Sequence, residues 1–163
     1  MVLSTWVITH PLATLVFVVV LLCGCSTDSD SPEDQVRALI GRAQAAAEAQ
    51  DTKVLEQMVA VDYADERGQD KRAIAALIRY YFLQHKSIHL FTKIEDLTVD
   101  NSTRKAHATV YAAMAGQRIE GSDALARLRA DLHRFELDFV EKDDGKWKVL
   151  WASWRRATVD DFL

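Results

Sequence analysis

The chain has 163 residues, of which 49% are hydrophobic and 27% charged, and its net charge is −4. That length and composition are typical of one ordinary globular domain. A mildly acidic total gives no sign of a nucleic-acid partner, because proteins that bind nucleic acids concentrate positive charge. Phosphate-binding glycine loops, nucleophile motifs and cysteine–histidine pairs are absent, so the sequence carries no standard catalytic signature.

The first 25 residues carry no acidic or basic charge, and an apolar run from Leu12 to Leu22 is interrupted only by Thr14. The run fits the core of a secretory signal and is short for a membrane span. Leu22-Cys23-Gly24-Cys25 follows, which resembles the lipobox of bacterial lipoproteins. The resemblance implies a signal peptide over residues 1–24, a lipidated Cys25 and a tether over residues 25–32. Because no Lys or Arg precedes the run, an ordinary cleaved signal or an uncleaved anchor remain alternatives.

The cysteines support a lipoprotein. Cys23 and Cys25 both lie in this N-terminal segment, so the mature domain would have no disulfide even in an oxidising compartment. By the same resemblance, Ser26 after the lipidated cysteine favours sorting to the outer membrane. We therefore expect a protein of the bacterial cell envelope, facing the periplasm and attached to the membrane through Cys25.

Three amphipathic helices are predicted next. Ser31-Pro32-Glu33-Asp34 is typical of a capping box, and it begins a helix over residues 32–49. Asp51 is expected to cap a short second helix, and Asp70 a third. The polar segment 62–68, between these two, is expected to be a loop. The apolar stripe of the third helix comprises Ile74, Leu77, Ile78 and Tyr81, widened by Tyr80 and Phe82.

The apolar spacing changes to two after Ser87, which predicts strands. The phase of the alternation slips near Glu95-Asp96, where a β-bulge is expected, and residues 100–103 form a turn. The next strand, residues 106–114, has small residues on one face, so a helix or a cavity must lie over it. Residues 116–130 are either a short capped helix or an irregular excursion.

Residues 133–156 predict a hairpin with one buried face. A three-residue loop, Asp143-Asp144-Gly145, with Gly145 left-handed, places both apolar rows on one side. It pairs Phe139 with Val149 and Leu137 with Trp151. The same register sends four side chains to the outer face, where they are expected to form an interface for a second copy or another envelope protein: Leu150, Ala152, Trp154 and Arg134. The alternative is a local cation–π contact between Arg134 and Trp154.

Three N-terminal helices packed on a curved antiparallel sheet make an α+β domain. The Tyr63…Asp65…Gly68 turn and the Gly145-Lys146-Trp147-Lys148-Val149 segment resemble the nuclear transport factor 2-like superfamily, whose cone-shaped fold is shared with ketosteroid isomerase. The resemblance covers residues 33–157 and leaves residues 158–163 as a tail. It implies helices over the concave side of the sheet and a pocket at the open end of the cone.

Enzymes of this superfamily use a pocket carboxylate or histidine as base, helped by a tyrosine or acid. The candidates here are Tyr63, Asp65 and His107, with Tyr63, Tyr81 and Tyr111 as pocket tyrosines. His107 and Tyr111 share a strand face about 13 Å apart, at ~3.3 Å per residue, too far for one to orient the other. Neither a cofactor nor a metal site is expected, since His85 and His89 straddle a helix end.

The leading expectation is therefore non-catalytic binding of a small apolar ligand or an envelope partner. Two alternatives remain open: an isomerase- or dehydratase-like enzyme that uses the cone pocket, and a structural accessory dimer. A histidine or carboxylate buried at the pocket floor would favour the enzyme, because desolvation there moves a pKa toward working pH. An apolar outer sheet face with a filled cone would favour the dimer.

Overall fold

The computed structural model describes residues 31–163. The predicted signal peptide over residues 1–24 and the lipidation of Cys25 lie outside the described residues. No helix within residues 31–163 combines the length and the apolar character needed to cross a membrane.

The described chain is an α+β domain, as predicted. Its first part contains helices α1 (Pro32–Glu48), α2 (Thr52–Met58) and α3 (Lys71–Gln84), with strand β1 (Val59–Asp65) between the last two. The rest is mainly strand: β2 (His89–Asp100), β3 (Lys105–Ala115), short 3-10 and α4 turns (Ser122–Ala124, Leu125–Leu128), β4 (Asp131–Glu141), β5 (Trp147–Arg156) and a final 3-10 turn (Val159–Phe162). The five strands form one curved sheet in the order β1-β5-β4-β3-β2. β1 runs parallel to β5, and the other pairs are antiparallel.

The three helix starts are confirmed by their hydrogen bonds. The Ser31 hydroxyl accepts a bond of 3.1 Å from the Asp34 amide, and the Asp34 carboxylate accepts one from the Ser31 amide. Asp51 and Asp70 accept bonds from the amides three residues later, at 3.0 and 2.8 Å. Each cap satisfies a backbone donor that the helix leaves open, an effect of about 1 kcal/mol.

Strand β1 was not predicted. Its last four residues, 62–65, belong to the segment 62–68 that was expected to be a polar loop. Within residues 31–163, β1 lies at the edge of the sheet with β5 as its one neighbouring strand, and Ala64 also forms an isolated bridge with Asp70. Ala60, Tyr63 and Asp65 are buried, whereas Val61 and Asp62 are exposed. Because the buried and exposed positions do not alternate, the period-two pattern of a strand is missing from the sequence.

The hairpin forms around the predicted three-residue loop, but its register changes part of the way along. Gly145 has φ +72°, and Phe139 lies opposite Val149, as expected. Leu150 then bulges out, so that Trp151 pairs with Asp138 and Ala152 with Leu137. The predicted pairing of Leu137 with Trp151 is therefore wrong, because one extra residue shifts every later position of β5 by one.

The main core lies between α1 and the sheet. The small residues of β3 lie beneath α1, which confirms that a helix covers this face. Phe139 and Trp147 complete the layer from the hairpin, and both are buried. The buried members of the cluster are Val36, Leu39, Ile40, Met58, Ala106, Ala108, Val110, Phe139 and Trp147.

A second, smaller core covers part of the outer face of the sheet. Tyr111 packs against Phe162 with ring centroids 5.6 Å apart, and Leu125 and Ala113 are buried beside them. The residues expected to be a tail therefore pack on the sheet through Phe162. The uncertain 116–130 segment contributes α4, the short helix that was one of its two predicted forms.

One edge of the sheet is closed by polar side chains of α1. The Glu48 carboxylate accepts a bond of 2.8 Å from the amide of Leu90 in β2, and the Gln44 side chain donates one of 3.1 Å to the Leu90 carbonyl. Thr92 donates to Gln44 at 2.6 Å. These bonds join α1 to the outermost strand while satisfying backbone groups that have no neighbouring strand.

Candidate functional site

The concave face has a second region beyond the main core, at the start of β4 and the end of β5. Its wall is aromatic: His133 and Phe135 have ring centroids 6.1 Å apart, and Phe135 and Trp154 are 6.4 Å apart. These three side chains are only half-buried, unlike the residues under α1. We call this region the concave cleft, lined by His133, Phe135, Trp154 and, from α3, Tyr81.

The Leu150 bulge places Trp154 in this cleft. Without the bulge, Trp154 would alternate to the outer face; with it, Trp154 lies opposite Phe135. The Arg67 guanidinium lies 5.6 Å from the centre of the Trp154 ring. Such a cation–π contact is worth about 0.5–1 kcal/mol at an exposed site. One cationic group therefore borders an otherwise aromatic wall.

The side chain of His133 is 18% exposed, against 45% for that of Asp131. Its Nε2 lies 3.2 Å from a carboxylate oxygen of Asp131, two residues earlier on the same strand face. Nδ1 is buried and has no hydrogen-bond partner in the described chain.

The predicted pocket tyrosines are in three different environments. Burial, together with the charge of Asp131, raises the pKa of Tyr81, so Tyr81 lies near the Asp131–His133 pair. Tyr63 is buried on the helix side of β1, where burial and the nearby Asp65 raise its pKa to about 12. Tyr111 does not join them, because it points to the outer face and packs against Phe162.

Asp65 is buried, but its hydrogen bonds are those of a turn. One carboxylate oxygen accepts bonds from the amides of Arg67 and Gln69 at 2.9 and 2.7 Å, and the other accepts one from the Gln69 side chain at 2.8 Å. Gly68 completes the turn with φ +75°. Three donors hold the carboxylate, so Asp65 stabilises the turn that leads into α3.

His107 lies on the outer face between two carboxylates. Its Nδ1 is 2.7 Å from Asp138 and its Nε2 is 3.1 Å from Glu136. Thr109 donates to the same Glu136 at 2.9 Å, and Arg134 forms an ion pair with it. The hydrogen bond to Asp138, assisted by Glu136 and opposed by partial burial, raises the pKa of His107. Both ring nitrogens of His107 therefore contact carboxylates of β4, and the side chain links β3 to β4.

The four residues expected to form an outer interface do not share one face. Ala152 and Trp154 lie on the concave side because of the bulge, and Ala152 is buried. Arg134 lies opposite Arg155 on the outer face, and it neighbours the His107 cluster. Leu150 is the bulged residue itself, at the side of an outer groove of about 370 Å³ that also contains His107.

Sequence reasoning missed the Asp131–His133 pair, although a signal was present. Asp131 and His133 occupy the same phase as Phe135, Leu137 and Phe139, which were identified as the buried row. Polar residues that continue an apolar row are candidates for a pocket, because their side chains face the same interior. Among residues 31–163, no group of three His, Cys, Asp or Glu side chains is placed to hold a metal ion.

Comparisons with known proteins show the fold. No family model matches the sequence, and no curated protein matches it. Solved structures do match. A protein of the NTF2-like family from Streptomyces avermitilis, predicted to be a dehydratase, is 14% identical with a TM-score of 0.60 and covers 80% of this chain and 99% of its own.

Two further matches agree with the first. An NTF2-like protein of unknown function from Pseudomonas putida KT2440 is 19% identical, has a TM-score of 0.58 and covers 75% of this chain and 84% of its own. A predicted ketosteroid isomerase from Shewanella frigidimarina is 16% identical, has a TM-score of 0.54 and covers 78% of this chain and 98% of its own. The described domain therefore has the NTF2-like fold, which confirms the fold that the sequence resemblance implied.

Proposed function

We propose that this chain is a lipid-anchored envelope protein whose domain binds a small, largely apolar ligand in the concave cleft. The observation that carries the proposal is His133, whose Nδ1 is buried without a hydrogen-bond partner in the described chain while its Nε2 lies 3.2 Å from Asp131. An unsatisfied buried polar group costs about 1–3 kcal/mol. A molecule that enters the cleft and donates a hydrogen bond to Nδ1 would recover that free energy.

The walls of the cleft define the rest of the ligand. Phe135 and Trp154 offer aromatic faces, and the Tyr81 hydroxyl adds one polar group that interacts with the charge of Asp131. Aromatic faces suit flat or alicyclic ring systems, and few polar contacts suffice to fix their orientation. The ligand class that fits is a ring compound with at least one hydroxyl or N–H donor.

Native mass spectrometry of the full chain, purified in detergent from its own envelope, tests this proposal. The chain is expected to carry a bound molecule of defined mass. His133→Gln should raise the dissociation constant of the ligand about tenfold, the effect of losing roughly 1.4 kcal/mol of binding free energy, and so lower the bound fraction. His107→Gln is the matched control, since it makes the same substitution on the opposite face of the sheet, and it should retain the ligand.

Two results would contradict ligand binding in the cleft. One is an unliganded mass for the wild-type chain together with no binding from an extract of envelope lipids and metabolites. The other is equal retention by the His133→Gln and His107→Gln variants. The second result would place any ligand elsewhere.

The lipid anchor is tested separately. If Cys25 is acylated, intact-mass analysis will show a first residue of acylated cysteine and the loss of residues 1–24. Cys25→Ser should remove the acyl mass and release the protein from membranes washed at high salt, because the anchoring chains contribute about 0.8 kcal/mol per methylene. Unmodified Cys25 in the wild-type protein would contradict this part of the proposal.

An isomerase- or dehydratase-like enzyme is the second candidate, and the Asp131–His133 pair favours it. A carboxylate that fixes one ring nitrogen leaves the other as a positioned general base. Two of the structural neighbours, a predicted dehydratase and a predicted ketosteroid isomerase, have names consistent with such chemistry. Incubating the liganded protein in D2O separates the candidates: a base that removes a carbon-bound proton reversibly will introduce deuterium into the ligand, and Asp131→Asn will slow that exchange. After its hydroxyl and N–H hydrogens are exchanged back in H2O, a ligand taken from a binding protein will have its original mass.

A further inference from the structure

The outward face of α3 carries the most prominent exposed apolar row of the described helices. Leu77, Tyr80 and Leu83 are 42%, 61% and 83% exposed. They follow at intervals of three, so they form one row along the helix surface, away from the half-buried Ile74, Ile78 and Tyr81. The sequence predicted that Leu77 and Tyr80 belong to the buried stripe, and this is wrong because α3 packs only through its other side.

A basic row runs beside this apolar row. Arg72 and Arg79 are seven residues apart and so share one side of the helix, and Lys86 follows just after its end. All three are exposed, and none makes an ion pair within residues 31–163. From Lys71 to Lys93 the chain has five cationic residues and no acidic one, although the whole chain has a net charge of −4.

From these two rows we infer that α3 docks on a bilayer of anionic phospholipid. An interfacial helix needs an exposed apolar row that enters the headgroup region and cations beside it that meet the lipid phosphates. α3 is 14 residues, or about 21 Å, long, enough to lie flat in the interface. Tyr80 lies between the two leucines, and tyrosine is enriched at the level of the headgroups.

The charges argue against a second copy as the occupant. A symmetric dimer through α3 would place this basic row against itself, and like charges in contact oppose association. An anionic surface meets both rows with complementary chemistry. The inference goes beyond the proposed ligand binding and does not depend on it; an anchor at Cys25 would raise the effective concentration of the bilayer at α3.

Hydrogen exchange of the full chain in vesicles tests the docking, because a tethered protein stays on the vesicle whether or not α3 touches it. Amides of residues 76–87 are expected to exchange about tenfold more slowly in vesicles of phosphatidylcholine mixed with phosphatidylglycerol than in phosphatidylcholine alone. The protection should fall when salt is raised from about 0.1 M to about 1 M, which shortens the Debye length from about 10 Å to about 3 Å.

Leu83→Asp should abolish the protection, and Arg79→Gln should weaken it. Val61→Asp is the matched control, since Val61 is a comparably exposed apolar residue, 88% exposed, on β1; it should keep the wild-type protection. Thermal unfolding by circular dichroism shows that the three variants are folded. Equal exchange of residues 76–87 in both kinds of vesicle would overturn the inference. So would protection in detergent accompanied by a dimeric mass, which indicates a second copy, or protection that appears only when another envelope protein is added.

Discussion

The Leu150 bulge determines which side chains of β5 face the cleft, and two single-residue deletions test it. Deleting Leu150 removes the unpaired residue and leaves regular alternation, with Val149, Ala152 and Trp154 still on the concave side. Deleting Ser153 instead shifts the positions after it. Trp154 would then lie opposite Glu136 on the outer face, and Arg155 would take its place beside Phe135.

The structure gives different magnitudes for the two deletions. Loss of Ser153 removes the Phe135–Trp154 ring contact at 6.4 Å, about 0.5–1.5 kcal/mol, and the Arg67–Trp154 contact at 5.6 Å, about 0.5–1 kcal/mol. Burial of half an indole adds about 1 kcal/mol. The free energy of unfolding should fall by about 2–4 kcal/mol. Loss of the half-exposed Leu150 should cost less than about 1.5 kcal/mol.

Urea denaturation followed by tryptophan fluorescence measures both effects under the same conditions. The deletion lacking Ser153 should also lose ligand retention, because the cleft loses one aromatic wall. The reasoning would be refuted if the deletion of Leu150 destabilised the domain as much as the deletion of Ser153. That result would show that the end of the sheet is stabilised by the bulge itself and not by the position of Trp154 on the concave face.

Three further predictions concern single side chains. Because the pKa of His107 is raised in the folded state, its protonation should contribute stability that is complete below the unfolded pKa of about 6.5 and lost as pH rises through the folded pKa. The difference in unfolding free energy between wild type and His107→Gln should therefore be larger at about pH 5 than at about pH 9. A difference that does not change with pH would contradict this prediction. Gly145→Ala should destabilise the domain by about 1–2 kcal/mol because the φ of Gly145 is +72°. Gly41 lies in α1 with open space at its Cβ position, so Gly41→Ala should stabilise the domain by about 0.5–1 kcal/mol. Chemical denaturation that ranks the two variants in the opposite order would be inconsistent with these backbone conformations. Spectrophotometric titration should show the Tyr63 phenol ionising near its pKa of about 12, and Tyr63→Phe should remove this ionisation step. If the step near pH 12 remains in the variant, it belongs to another tyrosine.

The sequence predicted the features that depend on local rules. Helix caps at Ser31, Asp51 and Asp70 need only short-range hydrogen bonds. The bulge near Glu95 was predicted because the apolar phase visibly slips there, and the register of β2 and β3 does shift between Ile94 and Asp96. The Gly145 loop followed from the need to bring two apolar rows to one face.

The features that were missed depend on tertiary context. The bulge at Leu150 could not be seen in the sequence because Leu150 and Trp151 are both apolar. The period-two alternation that begins at Trp147 therefore continues without an apparent change of phase. Strand β1 was missed because its pairing partner, β5, is more than 80 residues away in the sequence. The side through which α3 packs depends on its contacts with α2 and β1, which the helical period of α3 does not specify, and so the exposure of Leu83 was not foreseen either.

The contact between Glu48 of α1 and the Leu90 amide of β2 protects the edge of the sheet that β2 forms. An open strand margin invites a neighbouring polypeptide to extend the sheet, which is how many folded proteins begin to polymerise. Here a carboxylate and an amide side chain already occupy that position. Replacing both Glu48 and Gln44 should leave the domain folded but make it more prone to assemble into fibres through β2.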